Sequence, residues 1–281
     1  MTEERALVNH YGASYEQFAS KLYGEIRTEA FGEDIGQNGW LTADEQDLFI
    51  SWLRLGADRR LLDVACGSGG PTLRIAKVTG CRVHGIDIHE YAVAAAQSRA
   101  KQDEFTERAT SQQADAGKAL AFPDKSFDAI ICVDSINHLA DRAQVLREWA
   151  RVLRPGGRLV FTDPIVVTGP LTNTEIAIRS SIGIFLFVPP RVDERLIEAA
   201  GLDVGAKEDR TQNMASVAER WRAAQAAQAE ELRRIEGKET YEGQQRFFEV
   251  AGRLAKARRL SRFAYRAGRG GLRFRRSRGD R

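Results

Sequence analysis

Two hydrophobic rhythms alternate along the chain. Short apolar runs at 61–65, 82–88, 111–114, 127–133 and 158–163 have the length and content of buried strands, the third being the weakest. Between them apolar positions return every three or four residues. Leu73, Ile75, Ala76 and Val78 form one such set, residues 92–101 a second, and Val145, Leu146, Trp149, Val152 and Leu153 a third. Strands alternating with helices predict a parallel α/β sheet. The first sixty residues read as helices instead. Tyr11, Tyr15, Phe18 and Leu22 lie at helical spacing, and Thr42-Ala43-Asp44-Glu45 is a capping-box signature ahead of Leu48, Phe49, Trp52 and Leu53. The turn-rich stretch between them, residues 32–40, reads as a helix connector or as a flap over a ligand. After residue 163 the alternation breaks. An Ile- and Phe-rich insertion covers 166–190, a helix 191–200 and a strand 202–207. Two polar-faced helices, about 214–236 and 241–258, then precede a last strand at 260–265.

The punctuation of the first strand carries the chemistry. Asp63 lies near its end, Gly67, Gly69 and Gly70 follow, and Pro71 opens a helix. Glycines let a backbone turn tightly and approach a ligand where a Cβ would collide. Strand, glycine turn and helix together make a nucleotide-type cofactor site. Asp63, Asp87, Asp115, Asp134 and Asp163 all fall at or near carboxyl ends of strands, the rim where ligands of such sheets bind. A dinucleotide fingerprint requires Gly or Ala where this chain has Thr72, which disfavours NAD. No Gly-Lys-Ser/Thr follows the turn, which excludes a Walker phosphate loop.

Composition narrows the setting. The 281 residues are 43% hydrophobic, enough for one large core. Cys66, Cys81 and Cys132 are odd in number and lie in apolar segments, which argues for a reducing, cytoplasmic compartment. The four histidines are scattered and no metal-ligand spacing appears, so no metal site is expected. The acidic start is not a signal peptide, and the longest apolar stretch, 176–188, is too short and too charged to span a bilayer. The net charge of +3 hides an asymmetry: residues 253–281 hold twelve Lys and Arg against Asp280 alone, leaving an acidic body.

The ordered set DVACGSGG, GID, FDAIICVDSINHL and LRPGGRLVFTDP resembles the class I S-adenosylmethionine-dependent methyltransferases over about residues 55–165. Its layout is similar to the small-molecule group acting on ubiquinone, sterol, phosphoethanolamine and sarcosine. The resemblance implies a Rossmann-like, doubly wound, seven-stranded α/β sheet whose last strand is antiparallel. It implies an N-terminal helical lid at 1–54 and a catalytic domain at 55–267 with helical insertions about 166–190 and 213–258. A basic tail at 268–281 is expected to be disordered. The cofactor implied is S-adenosyl-L-methionine, with S-adenosyl-L-homocysteine as product. Gly67 and Gly69 would pass under it, flanked by Ala65; Asp63 would hold its amino group; and Asp87, with Ile88 beside it, would bind the ribose hydroxyls. Asp115 and Ala116 would meet the adenine, Asp134 the methionine end or the acceptor, and Gln37 and Asn38 would close over the cofactor.

On the acceptor side, His138 follows strand four on the expected rim and is the candidate general base or orienting group. In similar enzymes such a histidine pairs with an N-terminal tyrosine, which points to Tyr15 or Tyr23. The 176–188 segment reads as core, dimer surface or an apolar acceptor pocket, in which Arg179 or Arg191 would meet a carboxylate or phosphate. Competing readings are a nucleic-acid methyltransferase using the basic tail and a non-catalytic cofactor-binding module. Against the first, Asp134-Ser135-Ile136-Asn137 lacks the Pro-Pro-aromatic signature of base amino-group modifiers, and the tail has no aromatic interleaving.

Overall fold

The computed structural model describes residue 18 and residues 20–270. Two helices, α1 (Lys21–Phe31) and α2 (Ala43–Leu53), precede a βα series: β1 (Arg60–Val64), α3 (Gly70–Thr79), β2 (Arg82–Asp87), α4 (Glu90–Gln102) and β3 (Ala109–Gln113). Next come β4 (Phe127–Cys132), a 3-10 turn (Ile136–His138), α5 (Arg142–Val152) and β5 (Leu153–Val167). The C-terminal part adds α6 (Asn173–Arg179), α7 (Val192–Ala199), β6 (Asp203–Asp209), α8 (Thr211–Ala227), α9 (Ala229–Glu236), α10 (Lys238–Lys256) and β7 (Leu260–Gly268). The seven strands form one sheet in the order β3-β2-β1-β4-β5-β7-β6. Strands one to five are parallel, and β7 runs antiparallel between β5 and β6. The order reverses beside β1, so the rim above β1 and β4 is the switch point at which such sheets bind ligands.

The continuous apolar strands follow from burial on both faces. Leu62, Ile130 and Leu159 face one core with Trp149 of α5, whereas Leu61, Ile131 and Val160 face another with Phe49 and Trp52 of α2 and Leu73 and Ile75 of α3. A third cluster stands off the sheet. It joins Tyr23, Ile26 and Phe31 of α1 and Trp40 to Ile182, Met214, Trp221, Phe247 and Phe248. The helical insertions therefore roof the rim, together with the N-terminal helices.

Three expectations change in detail. Thr42 caps α2 without a side-chain hydrogen bond, and the buried Glu45 carboxylate pairs with the Arg262 guanidinium at 2.7 Å. A buried charge needs a charged partner more than a cap needs its second bond. The single helix expected over 214–236 is two helices joined at Gln228, a bend that carries Leu232 of α9 into the third cluster. Gly268 and Arg269 belong to the fold and not to a tail: Arg269 Nη1 donates to the Leu153 carbonyl at 2.6 Å and its amide to Gly157. The remaining tail lies outside the described residues. Much of the basic run is also neutralised within the body, as Arg253 and Arg259 pair with Glu175, Lys256 with Glu219, and Arg258 with Asp209.

Candidate active site

Two adjoining cavities open on the rim. The first lies over the glycine turn and encloses about 700 Å³ of space, part of it continuous with solvent. Asp63, Ala65 and Gly67 line it with Asn38, Gly39, Gln46 and Asp134, and no lysine or arginine lines it among the described residues. Its floor takes its shape from backbone conformation. Ala65, Gly67 and Gly69 all have positive φ, and the Gly67 amide donates to Asp87 Oδ2 at 2.9 Å. Asp87 Oδ1 accepts the His89 amide, so this carboxylate braces the turn from below. Gly69 faces α4, where a Cβ would lie 2.6 Å from the Ala96 Cβ. The close helix packing that a dinucleotide site draws from its third glycine is supplied here by Gly69. Thr72 serves the carboxylate at the strand end, its hydroxyl donating to Asp63 Oδ2 at 2.5 Å.

Asp63 is buried, and burial, reinforced by the charge of Asp87, pushes its carboxyl up to about 7. Thr72 works against that shift without cancelling it. A cavity with carboxylates, amides and no fixed cation suits a ligand carrying positive charge, such as an ammonium beside a sulfonium.

The 32–40 segment closes over this floor. A Cβ on Gly70 would lie 2.2 Å from the Ile35 carbonyl, so only glycine lets the segment rest on the start of α3. Ser68 Oγ donates to the Gly36 carbonyl, and the Trp40 amide donates to Asp134 Oδ2 at 3.0 Å. Gln37 spends both ends of its amide inside the segment, accepting from Ile35 and donating to Glu33, and it does not line the cavity.

Asp134 separates the two cavities and lines both. Its four hydrogen bonds come from Trp40, from Thr162 Oγ1 at 2.7 Å, and from Arg262 Nε and Nη2 at 2.7 and 3.1 Å. The carboxylate is thereby saturated. It ties the lid, β5 and β7 together, with Glu45 of α2 held on the same guanidinium. Asp163 is likewise committed: it and Asp193 share the buried Arg142 Nη1, at 2.5 and 2.8 Å. Asp115 accepts the Gly117 amide and pairs with Lys118, Ala116 belongs to the core beneath β3 and β4, and Ile88 is exposed. The structure thus gathers Asp63, Ala65, Gly67, Asn38 and Asp134 at the cavity, and leaves Gln37, Gly69, Asp87, Ile88, Asp115 and Ala116 outside its lining.

The second cavity, about 450 Å³ by the same measure, has a different wall. Trp40, Phe185, Trp221, Phe247 and Phe248 line it with Arg179, Asn137 and His138. Trp40 stacks on Phe247 at 6.4 Å between centroids, and the Arg179 guanidinium lies 4.3 Å from the Phe247 centroid. The 176–188 segment therefore contributes Arg179, Ile182 and Phe185 to a cavity, while Ile184 remains exposed. His138 is held edge-on to Phe185, and its Nδ1 lies 2.7 Å from the Ile184 carbonyl. A carbonyl only accepts, so Nδ1 carries the proton. Burial lowers the pKa of His138, and the nearby Arg179 charge adds to that effect against the Ile184 bond. Tyr23 is buried in the third cluster, and its hydroxyl has no hydrogen-bond partner among the described residues; Tyr15 lies outside them. Glu45, Arg262, Asn137 and Trp40 complete the site without having been expected from the sequence. An arginine within an apolar strand at 260–265 was the available signal for the second.

A family model described as a methyltransferase domain matches residues 62–161. The chain is 33% identical over 216 residues to 27-O-demethylrifamycin SV methyltransferase of Amycolatopsis mediterranei, covering 73% of this chain and 77% of that protein. It is 38% identical over 158 residues to methyltransferase GfsG of Streptomyces halstedii, covering 54% and 55% of the two chains. Among solved structures, phosphoethanolamine N-methyltransferase 2 of Haemonchus contortus, in complex with S-adenosyl-L-methionine, superposes with a TM-score of 0.74 at 19% identity. That match covers 92% of this chain and 60% of the other, and at such identity it speaks for the fold alone. No described helix is long and apolar enough to cross a membrane. The shared sequence and the shared sheet together make this chain a member of the class I S-adenosylmethionine-dependent methyltransferases that act on small molecules.

Proposed function

We propose that the enzyme methylates a hydroxyl oxygen of a small, largely apolar acceptor seated in the second cavity, with His138 as general base. The observation that carries this reading is the pinned imidazole: Nδ1–H is held by the Ile184 carbonyl, so Nε2 is the basic nitrogen, in the wall of an aromatic cavity that adjoins the acidic one. When bound, S-adenosylmethionine supplies a methyl carbon already activated by its sulfonium. Asp63 would take the ammonium of the cofactor's methionine part, and that charge would draw the carboxyl back to its ionised form. Gly67 and Asn38 would lie against the cofactor, and Asp87, now bracing the turn, would take the ribose; Asp115 would take the adenine.

The chain's own work is alignment, exclusion of water and removal of one proton. The lid and the aromatic wall exclude water, and Nε2 of His138 accepts the hydroxyl proton as the oxygen attacks. A lowered pKa keeps His138 neutral, and therefore basic, at neutral pH. Tyr23, buried in the same cluster as Trp40, Phe247 and Phe248 but behind the cavity wall, would support the acceptor end. The buried, disulfide-free thiols of Cys66, Cys81 and Cys132 favour a reducing, cytoplasmic setting.

The names of several relatives support oxygen as the target, among them O-methyltransferase resE of Aspergillus sclerotiorum, 32% identical over 158 residues. The test is an incubation of a metabolite extract with methyl-labelled cofactor, followed by mass identification of the product. Label on oxygen is expected; label on nitrogen or carbon overturns the reading.

A further inference from the structure

Asn137 is fully buried, yet neither its Nδ2 nor its Oδ1 has a hydrogen-bond partner among the described residues. Its backbone is well occupied by comparison, with its carbonyl accepting the Leu186 amide at 2.9 Å. That bond and the His138–Ile184 bond fasten the segment 184–186 across the 3-10 turn, so the Asn137 side chain is held in the wall of the second cavity beside His138. Buried polar groups are nearly always satisfied, and an amide left open in a cavity wall marks where a ligand completes it.

We infer that Asn137 reads a second oxygen function on the acceptor: the substrate class is an apolar ring compound whose methylated hydroxyl stands next to another hydroxyl or a carbonyl. This rests on the reading of the second cavity as the acceptor seat. An amide offers one donating and one accepting group, so its partner must do the same. A carboxylate only accepts and would leave Oδ1 facing lone pairs. An ammonium only donates, and the buried guanidinium of Arg179 opposes it. A hydroxyl beside a carbonyl or a second hydroxyl satisfies both ends, and Arg179 favours the partial negative charge that builds on the methylated oxygen as its proton is withdrawn. The five aromatic side chains of the wall suit the ring.

The test is calorimetric titration of the enzyme saturated with S-adenosylhomocysteine, using 2,3-dihydroxynaphthalene and 2-naphthol. The wild-type enzyme is expected to bind the diol at least about tenfold more tightly. Asn137→Leu is expected to bind both equally, with unchanged affinity for S-adenosylhomocysteine as the control for its fold. Equal binding of the two probes by the wild type overturns the inference and leaves the acceptor seat standing. A preference that survives in Asn137→Leu overturns the role of this residue. If neither probe binds the saturated enzyme, the acceptor seat itself is wrong and the inference falls with it. The wild-type comparison needs no variant, so the inference stays open to refutation if Asn137→Leu does not fold.

Discussion

The cavity over β1 and the cavity beside it meet at Gly39 and Asp134, but they are built on opposite plans. The first draws most of its wall from consecutive residues at strand ends, 63–71 and 131–135, with the lid laid on top. Its polar side chains are Asp63, Ser68, Asp134 and Ser135 at those strand ends, with Asn38 and Gln46 from the N-terminal part. The second takes one or two residues each from the lid, the 3-10 turn, α6, its following loop, α8 and α10, and its wall is largely aromatic. A site made from one continuous turn can be kept while a roof of inserted helices changes around it. The two cavities are therefore separable in sequence, and are coupled through the bond network of Asp134 and Arg262.

Removing that coupling should have the largest effect on both halves at once. Arg262→Met leaves Glu45 and Asp134 buried without their cation, and is expected to cost about 3–5 kcal/mol of stability by urea denaturation. A loss below about 1 kcal/mol would show that the shared wall does not depend on it. Next in size, His138→Ala is expected to lower kcat by about 10²- to 10⁴-fold while the affinity for S-adenosylhomocysteine stays within about twofold. Equal losses in both would put His138 on the donor side.

The reverse experiment is Asp63→Asn, expected to weaken S-adenosylhomocysteine binding by roughly ten- to a hundredfold, measured calorimetrically. Unchanged affinity would remove Asp63 from the cofactor. A smaller effect uses the same carboxyl in the wild type. Without ligand its pKa is raised to about 7, and a bound ammonium requires the ionised form, so binding releases a proton below that value. Affinity should therefore rise with pH by at most about tenfold per unit up to about pH 7 and then level off. A flat profile would contradict it. His138 provides the counterpart: with its pKa lowered by burial, the acid limb of kcat should fall below the usual imidazole value near about 6.5 and vanish in His138→Ala.

How far the chain can be read in advance follows the same divide. The parallel strands and the α5 helix with Val145, Leu146 and Trp149 are legible because two-sided burial and helical periodicity are properties of neighbouring residues. The glycine turn is legible for the same reason. The positions of the strand-end acids are legible too, but not their partners. Asp134 and Asp163 look alike in sequence, and each is claimed by an arginine, one 128 residues distant and the other 21. Glu45 has local neighbours that suit a cap, yet its carboxylate goes to Arg262; Gln37 lies on the lid above the site, yet its amide is spent within the lid.

Local sequence was enough to specify the alternation of strands and helices and the turn that follows Asp63, since each depends on residues within a few positions of one another; the class of donor followed from the resemblance of motifs spread over about residues 55–165. It took the folded chain to settle which carboxylates are spent on Arg142 and Arg262, and how Trp40, Asn137, His138, Arg179 and Phe247 come to face one cavity. Those outcomes depend on contacts across the whole chain, where burial drives charges and amides towards partners, and no local pattern says which one each finds.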